Sequence, residues 1–234
     1  MTNLSASGSL TVDTVIHRHY LSTHHLYAAR YAAHDSTVRE AQGGELQPFD
    51  IRNRAYVLTA VTASVSFLEA AVNELYQDAA DEHPSHVSTL EIQCSRLMAA
   101  VWTATERGQR LETLRKYDLA LACAGQFDFD RGSQPYQDVA LLIRLRNYLI
   151  HYRPHDVGGD EESRLGTQLR QRGIAGSILM EGLGNPWFPD HALGAGCAQW
   201  AWRAARCFVD EFSSRMGGLR LNYKCVDFGD PLQS

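Results

Sequence analysis

The sequence predicts an all-α protein, built as an up-and-down helical bundle of about five to seven helices. Over most of the chain, apolar residues recur at the three- and four-residue spacing of helices. We find no convincing run of alternating apolar and polar residues of the kind that marks a half-buried strand, and no internal repeat. The 234 residues, 44% of them hydrophobic, are enough to bury a core. We therefore expect one helical domain over residues 1–234.

The first half of the chain predicts four helices. The first is expected from Thr11 to about Ala33, followed by a polar connector at 41–47. Asp50 is a candidate N-cap for a long helix to about Ala80, because an aspartate in that position accepts a hydrogen bond from the first helical turn. Two more helices are expected over 87–106 and 111–124. The long helix should bury one apolar stripe, formed by Val57, Val61, Leu68, Val72 and Leu75.

The second half predicts one well-delimited helix and one long terminal helix. Pro135 suits the first turn of a helix, which should end just before Pro154 because the residue that precedes a proline is driven out of the helical region. Residues 155–191 read as an irregular connector with a short charged helix near Glu161 to Arg172. A terminal helix over about 192–216 should bury Trp200, Phe208, Val209 and Phe212. We expect the core at about 50–153 plus this helix, with a peripheral C-terminal extension.

Charge and composition exclude several classes of protein. The net charge of −5 argues against a positive field over the whole surface, so contact with nucleic acid would need a local basic patch. The five cysteines include no C-x-x-C pair, which argues against a zinc ribbon. The start of the chain lacks the features of a secretory signal, and the apolar stretch at 55–72 carries Glu69 and several hydroxyl residues, so we expect a buried helix, no membrane span and a cytoplasmic protein.

One arginine is placed where the helical pattern predicts an apolar residue. In the helix that begins at Pro135, Arg146 has four apolar helical neighbours, at three and four positions on either side, namely Leu142, Ile143, Leu149 and Ile150. Removing a guanidinium from water costs on the order of several kcal/mol of desolvation free energy, as for other buried ions, unless a partner or ligand compensates its charge. Arg146 therefore needs a partner or a ligand.

Two further polar residues accompany Arg146 on the same helix. Asn147 and His151 are four positions apart and share a face, and His151 follows Arg146 by about one and a half turns. A histidine changes its charge near neutral pH, which suits general acid or base chemistry. Arg146, Asn147 and His151 are therefore the candidate catalytic residues.

The string R-N-Y-L-I-H at 146–151, with Tyr152 and Pro154 after it, resembles the signature of the HEPN superfamily. The segment S-F-L-E-A-A-V-N-E-L-Y at 66–76 resembles the long helix of these proteins, with Glu69 and Asn73 as its polar positions. The resemblance implies a four-to-five-helix bundle, usually a homodimer with the motif helices facing each other. Many members are metal-independent endoribonucleases of toxin–antitoxin, antiphage or RNA-processing systems, so the resemblance implies an RNA substrate, no cofactor and an antitoxin or defence partner.

Other interpretations of these residues remain open. Arg146 could be a structural arginine whose charge is met by Glu69 or Asn73, and His151 could be a helix cap. Arg18 to His24 has a similar spacing but lacks the apolar frame and the polar neighbour. Five histidines near the N-terminus lack a metal-binding pattern and favour a solvated face, namely His17, His19, His24, His25 and His34. The chain could also be a non-catalytic HEPN-like binding or assembly module, or an unrelated helical regulator.

Overall fold

The protein is a helical bundle in the residues that the computed structural model describes, 18–43, 49–154 and 164–225. The helices and their bounds are α1 (Ser22–Ala41), α2 (Ile51–Ala80), α3 (Pro84–Val87), α4 (Ile92–Ala104), α5 (Thr113–Cys123), α6 (Tyr136–Ile150), α7 (Arg164–Gln171), α8 (Ala195–Arg215) and α9 (Asn222–Cys225). Within these ranges no residue is in a strand, which confirms the all-α prediction.

The first helix differs from its prediction at both ends. Residues 18–21 are not helical, and α1 begins at Ser22 because a carboxylate of α2 caps it. Glu74 accepts hydrogen bonds from the backbone nitrogens of Leu21 and Ser22, at 2.7 and 2.8 Å, and from the Ser22 hydroxyl. The helix continues past Ala33 to Ala41, since the residues between include no glycine or proline. Residues 11–17 and 44–47 of the predicted helix and connector lie outside the described ranges.

The long central helix confirms its prediction closely. α2 begins after Asp50, whose side chain accepts a 2.7 Å hydrogen bond from the Asn53 backbone nitrogen, and it ends at Ala80. All five members of the predicted stripe are buried. α2 is long and apolar enough to cross a membrane, judged by length and hydropathy alone. In the structure it is instead a core helix, because α1, α4, α6 and α8 pack around it.

The core extends beyond the helices of the predicted 50–153 and 192–216. Side chains of α1 enter it, such as Leu26, and the segment before α8 contributes Leu169 and Phe188. The short helix expected near Glu161 to Arg172 is α7, although residues 155–163 are outside the described part. Phe208, Val209 and Phe212 of α8 are buried as predicted, whereas Trp200 is only partly buried.

The motif helix α6 lies within its predicted bounds but ends three residues earlier than predicted. It begins directly after Pro135, ends at Ile150, and is followed by three non-helical residues before Pro154. Val139, Leu142 and Leu145 are buried on the side that faces α2 and α8. The opposite side of α6 is accessible and carries the candidate catalytic residues.

Candidate active site

A groove of about 650 Å³ lies between α6 and the segment that leads into α5. Of the described residues, five arginines line it, against two acidic residues, Glu112 and Asp118. This excess of positive charge is local, in a chain whose net charge is −5. The groove is therefore the kind of basic patch that an anionic ligand would require. The five arginines are Arg110, Arg115, Arg131, Arg144 and Arg146.

Arg146 lies on the α6 wall of this groove and is half-buried. Its apolar frame is uneven: Leu142 is fully buried, Ile143 is partly buried, and Ile150 is 53% exposed. Among the described residues no hydrogen bond or ion pair to Arg146 is found. The guanidinium is thus partly removed from water without a carboxylate to meet its charge, which makes it available to an anionic ligand in the groove.

The polar positions of α2 have a different partner from the one considered from the sequence. Lys116 of α5 is buried, and its Nζ lies 2.9 Å from Oδ1 of Asn73 and 3.3 Å from Oε1 of Glu69. These two side chains therefore hold the amine of Lys116 and not the guanidinium of Arg146. The interpretation of Arg146 as a structural arginine held by Glu69 or Asn73 is wrong, and both residues support the position of α5 instead.

The other two motif residues are placed differently from each other. Asn147 is exposed and lines the groove beside Arg146. His151 is exposed and is the C-cap residue of α6, where its backbone nitrogen donates to the Asn147 carbonyl at 2.9 Å. His151 is not among the residues that line the groove. Helical geometry separates the Cα atoms of Arg146 and His151 by about 9 Å. One chain thus brings Arg146 and Asn147 together and leaves the imidazole outside the lining of the groove.

Tyr152 belongs to an aromatic contact beside the motif. Its ring lies 5.6 Å from that of Tyr148, which in turn lies 5.1 Å from Phe188. These ring contacts tie the end of α6 to the segment before α8. Tyr152 therefore helps to fix the backbone at the end of α6, directly after His151.

The groove also contains a buried carboxylate that was not predicted. Asp118 is 2% exposed, and its Oδ1 is without a hydrogen-bond partner in the described part of the chain. Its Oδ2 lies 3.4 Å from a guanidinium nitrogen of Arg131. Burial raises the pKa of the Asp118 carboxyl, and the charge of Asp128 adds to this effect, while Arg131 and Arg115 oppose it.

The arginines of the groove come from separate parts of the sequence. Arg110 and Arg115 flank the start of α5, Arg131 belongs to the loop before α6, and Arg144 lies on α6. No motif or spacing connects these segments, so the sequence had no signal for them apart from Arg146. Asp118 had a weak signal, since it is an acidic residue within the apolar pattern of a predicted helix.

Within the described ranges, no group of three or more histidine, cysteine or acidic side chains is arranged so that it could hold a metal ion. Of the histidines near the N-terminus, His17 lies outside those ranges. His19, His24 and His34 are exposed, and His25 is partly buried.

Comparison with protein-family models, with curated proteins and with solved structures finds no match to this chain. The HEPN resemblance therefore depends on the motif residues and on the helical fold, and the function that it implies remains a proposal.

Proposed function

We propose that the protein is a metal-independent endoribonuclease of toxin–antitoxin or antiphage-defence type. The observation that carries this proposal is the half-buried guanidinium of Arg146, which lines an arginine-rich groove and has no ion-pair partner among the described residues. A phosphodiester is the ligand that best fits this arrangement, because arginine binds phosphate oxygens through two parallel hydrogen bonds.

The chemistry assigned to the groove is cleavage by the ribose 2′-hydroxyl. The 2′-oxygen loses its proton, attacks the phosphorus and displaces the 5′-oxygen, which takes up a proton as it leaves. The products carry a 2′,3′-cyclic phosphate and a 5′-hydroxyl. Arg146 stabilises the added negative charge on the phosphoryl oxygens, Asn147 orients the phosphate by hydrogen bonding, and His151 transfers protons. Proton transfer of this kind contributes roughly 10²- to 10⁴-fold to the rate.

A homodimer would supply what one chain lacks. The reaction needs a base and an acid, and the motif of one chain offers one histidine, which does not line its own groove. The accessible end of α6 presents Ile150, which is 53% exposed, and Tyr152, which is 49% exposed, beside His151. A two-fold contact through this end of α6 would bury both apolar surfaces and bring two imidazoles to one shared cleft.

The position of His151 also favours a second candidate function. Because the imidazole does not line the groove, the same arginines could bind an RNA backbone without cleaving it. The protein would then be a non-catalytic binding or assembly module. The two candidates differ in one result, the appearance of cleaved RNA.

The experiment is RNA cleavage in EDTA by the wild-type protein and by the His151→Ala and Arg146→Ala variants. Both variants should lose at least about 100-fold in rate, as expected for removing proton transfer or transition-state charge stabilisation. His34→Ala and Arg96→Ala are matched controls, since both residues are exposed and lie outside the groove. Equal cleavage by all five proteins would exclude this assignment. RNA binding without cleavage by the wild type would favour the binding module.

A further inference from the structure

A second groove adjoins the first on the other side of α6. It has a volume of about 390 Å³ and lies between α6 and α7. The two grooves share four lining residues, Arg131, Tyr136, Ala140 and Arg144. They are therefore adjacent to each other along α6.

The boundary between the two grooves is positively charged and includes one very small side chain. Ala140 contributes only a methyl group at this point, and Arg144 folds back along the helix so that its Nε lies 3.4 Å from the Ala140 carbonyl oxygen. Arg131 reaches the same boundary with a side chain that is 67% exposed. The half-buried ring of Tyr136 lines both grooves at this place. A phosphodiester that crossed α6 at this point would lie beside two guanidinium groups and an aromatic ring.

The second groove is neutral and rich in amides beyond this boundary. Among the described residues its lining includes no acidic side chain, and Arg172 is already occupied by Asp138 at 2.9 Å and by Gln137 at 2.8 Å. Gln168 and Gln171 of α7 complete the wall, and the buried Oε1 of Gln168 has no hydrogen-bond partner in the part of the chain described. Amide groups of this kind hydrogen-bond to the edges of unpaired bases or to sugars.

We infer that the second groove binds the nucleotides next to the cleaved bond, so that the substrate is single-stranded RNA that crosses α6 from one groove into the other. This inference rests on the proposed function for the identity of the first groove. Each volume is of the size that holds one small ligand, about 300–1,000 Å³, and a base-paired strand would hide the base edges that the amides of α7 are placed to contact.

The test measures binding to fluorescein-labelled 2′-O-methyl oligoribonucleotides, which lack the attacking hydroxyl and stay intact. The probes are a dinucleotide, a single-stranded octanucleotide and a hairpin of eight base pairs. The Gln168→Glu/Gln171→Glu variant places two negative charges in the second groove. Its matched control is Gln93→Glu/Gln126→Glu, which makes the same charge change at exposed residues of a groove that shares no residue with these two.

The wild-type protein should bind the octanucleotide at least tenfold more tightly than the dinucleotide or the hairpin. The Gln168→Glu/Gln171→Glu variant should bind the octanucleotide about tenfold more weakly than the wild type and the dinucleotide less than twofold more weakly. The control should bind both probes as the wild type does. If the half-buried Gln168 does not tolerate a charge, the single variant Gln171→Glu replaces the double variant. Gln171 is exposed, so this variant should fold, and its affinity for the octanucleotide should be about threefold lower than that of Gln93→Glu.

Failure of this inference can be told apart from failure of the proposed function. The inference about the second groove would be overturned if its variants and their controls bound the octanucleotide equally well. It would also be overturned if the wild type bound the hairpin and the single strand equally well, whether or not RNA is cleaved. A wild-type protein that shows the expected length dependence but does not cleave RNA in EDTA would support the second groove and contradict the nuclease.

Discussion

Replacing Asp118 with asparagine should stabilise the protein at neutral pH. The carboxylate is 2% exposed, and its Oδ1 has no hydrogen-bond partner in the described part of the chain. Leaving a buried polar or charged group unsatisfied costs about 1–3 kcal/mol. The 3.4 Å contact with Arg131, whose side chain is 67% exposed, stabilises the folded protein by at most about 1 kcal/mol. Asparagine has the same shape without the charge, so Asp118→Asn should gain about 1–2 kcal/mol.

The pH dependence of this gain has a definite sign. Because the pKa of Asp118 is raised in the folded protein, its carboxyl favours folding when protonated, below about pH 4. This contribution is lost as the pH rises through the raised pKa. Relative to wild type, Asp118→Asn should therefore be most stabilised at pH 7–8 and should lose its advantage as the pH falls to 4.

The assay is thermal unfolding followed by circular dichroism between pH 4 and pH 8. For a chain of this size, 1–2 kcal/mol corresponds to an increase in Tm of about 2–8 °C at pH 7. Asp35→Asn is the matched control, since Asp35 is exposed on α1 and should change Tm by less than about 1 °C. A lower Tm for Asp118→Asn at pH 7, or a gain that does not shrink as the pH falls, would refute this account of the groove.

Two further substitutions test how α1 and α2 are held. Asp78 is fully buried, 2.8 Å from Nδ1 of His86 and 2.7 Å from Arg18; burial alone would raise its pKa, but these two partners outweigh burial and lower it. Asp78→Asn should therefore lower the free energy of unfolding in urea by about 3–5 kcal/mol at pH 7. This difference from the wild type should shrink as the pH falls below about 4, through the lowered pKa, and a difference that stays constant would contradict this reasoning. Glu74→Ala removes the cap of α1 at Ser22 and should lose about 1–2 kcal/mol in the same assay; an unchanged urea midpoint would show that the cap contributes nothing.

Local sequence signals were sufficient for the helices with strong boundaries. The Asp50 cap and the apolar stripe predicted α2, and Pro135 predicted the start of α6, which ends three residues before the end that Pro154 indicated. These features depend on interactions between residues a few positions apart, so they can be recognised from the sequence. The same is true of the motif, since Arg146 is conspicuous as a cation inside an apolar pattern.

Contacts between distant residues could not be predicted in this way. The start of α1 depends on Glu74, which lies 52 residues after Ser22. The partner of Glu69 and Asn73 is Lys116 and not Arg146, because packing and not sequence spacing brings α5 against α2.

The sequence by itself determined that the chain is helical, where its longest helices lie, and that Arg146 is out of place among apolar neighbours. The tertiary structure alone decided what surrounds that arginine. Four other arginines and a buried aspartate line the same groove, from α5 and the segment before it, from the loop before α6 and from α6 itself. Helical periodicity acts over a few residues, whereas a groove forms where separate helices meet. Its charge is thus set by packing that no local pattern encodes.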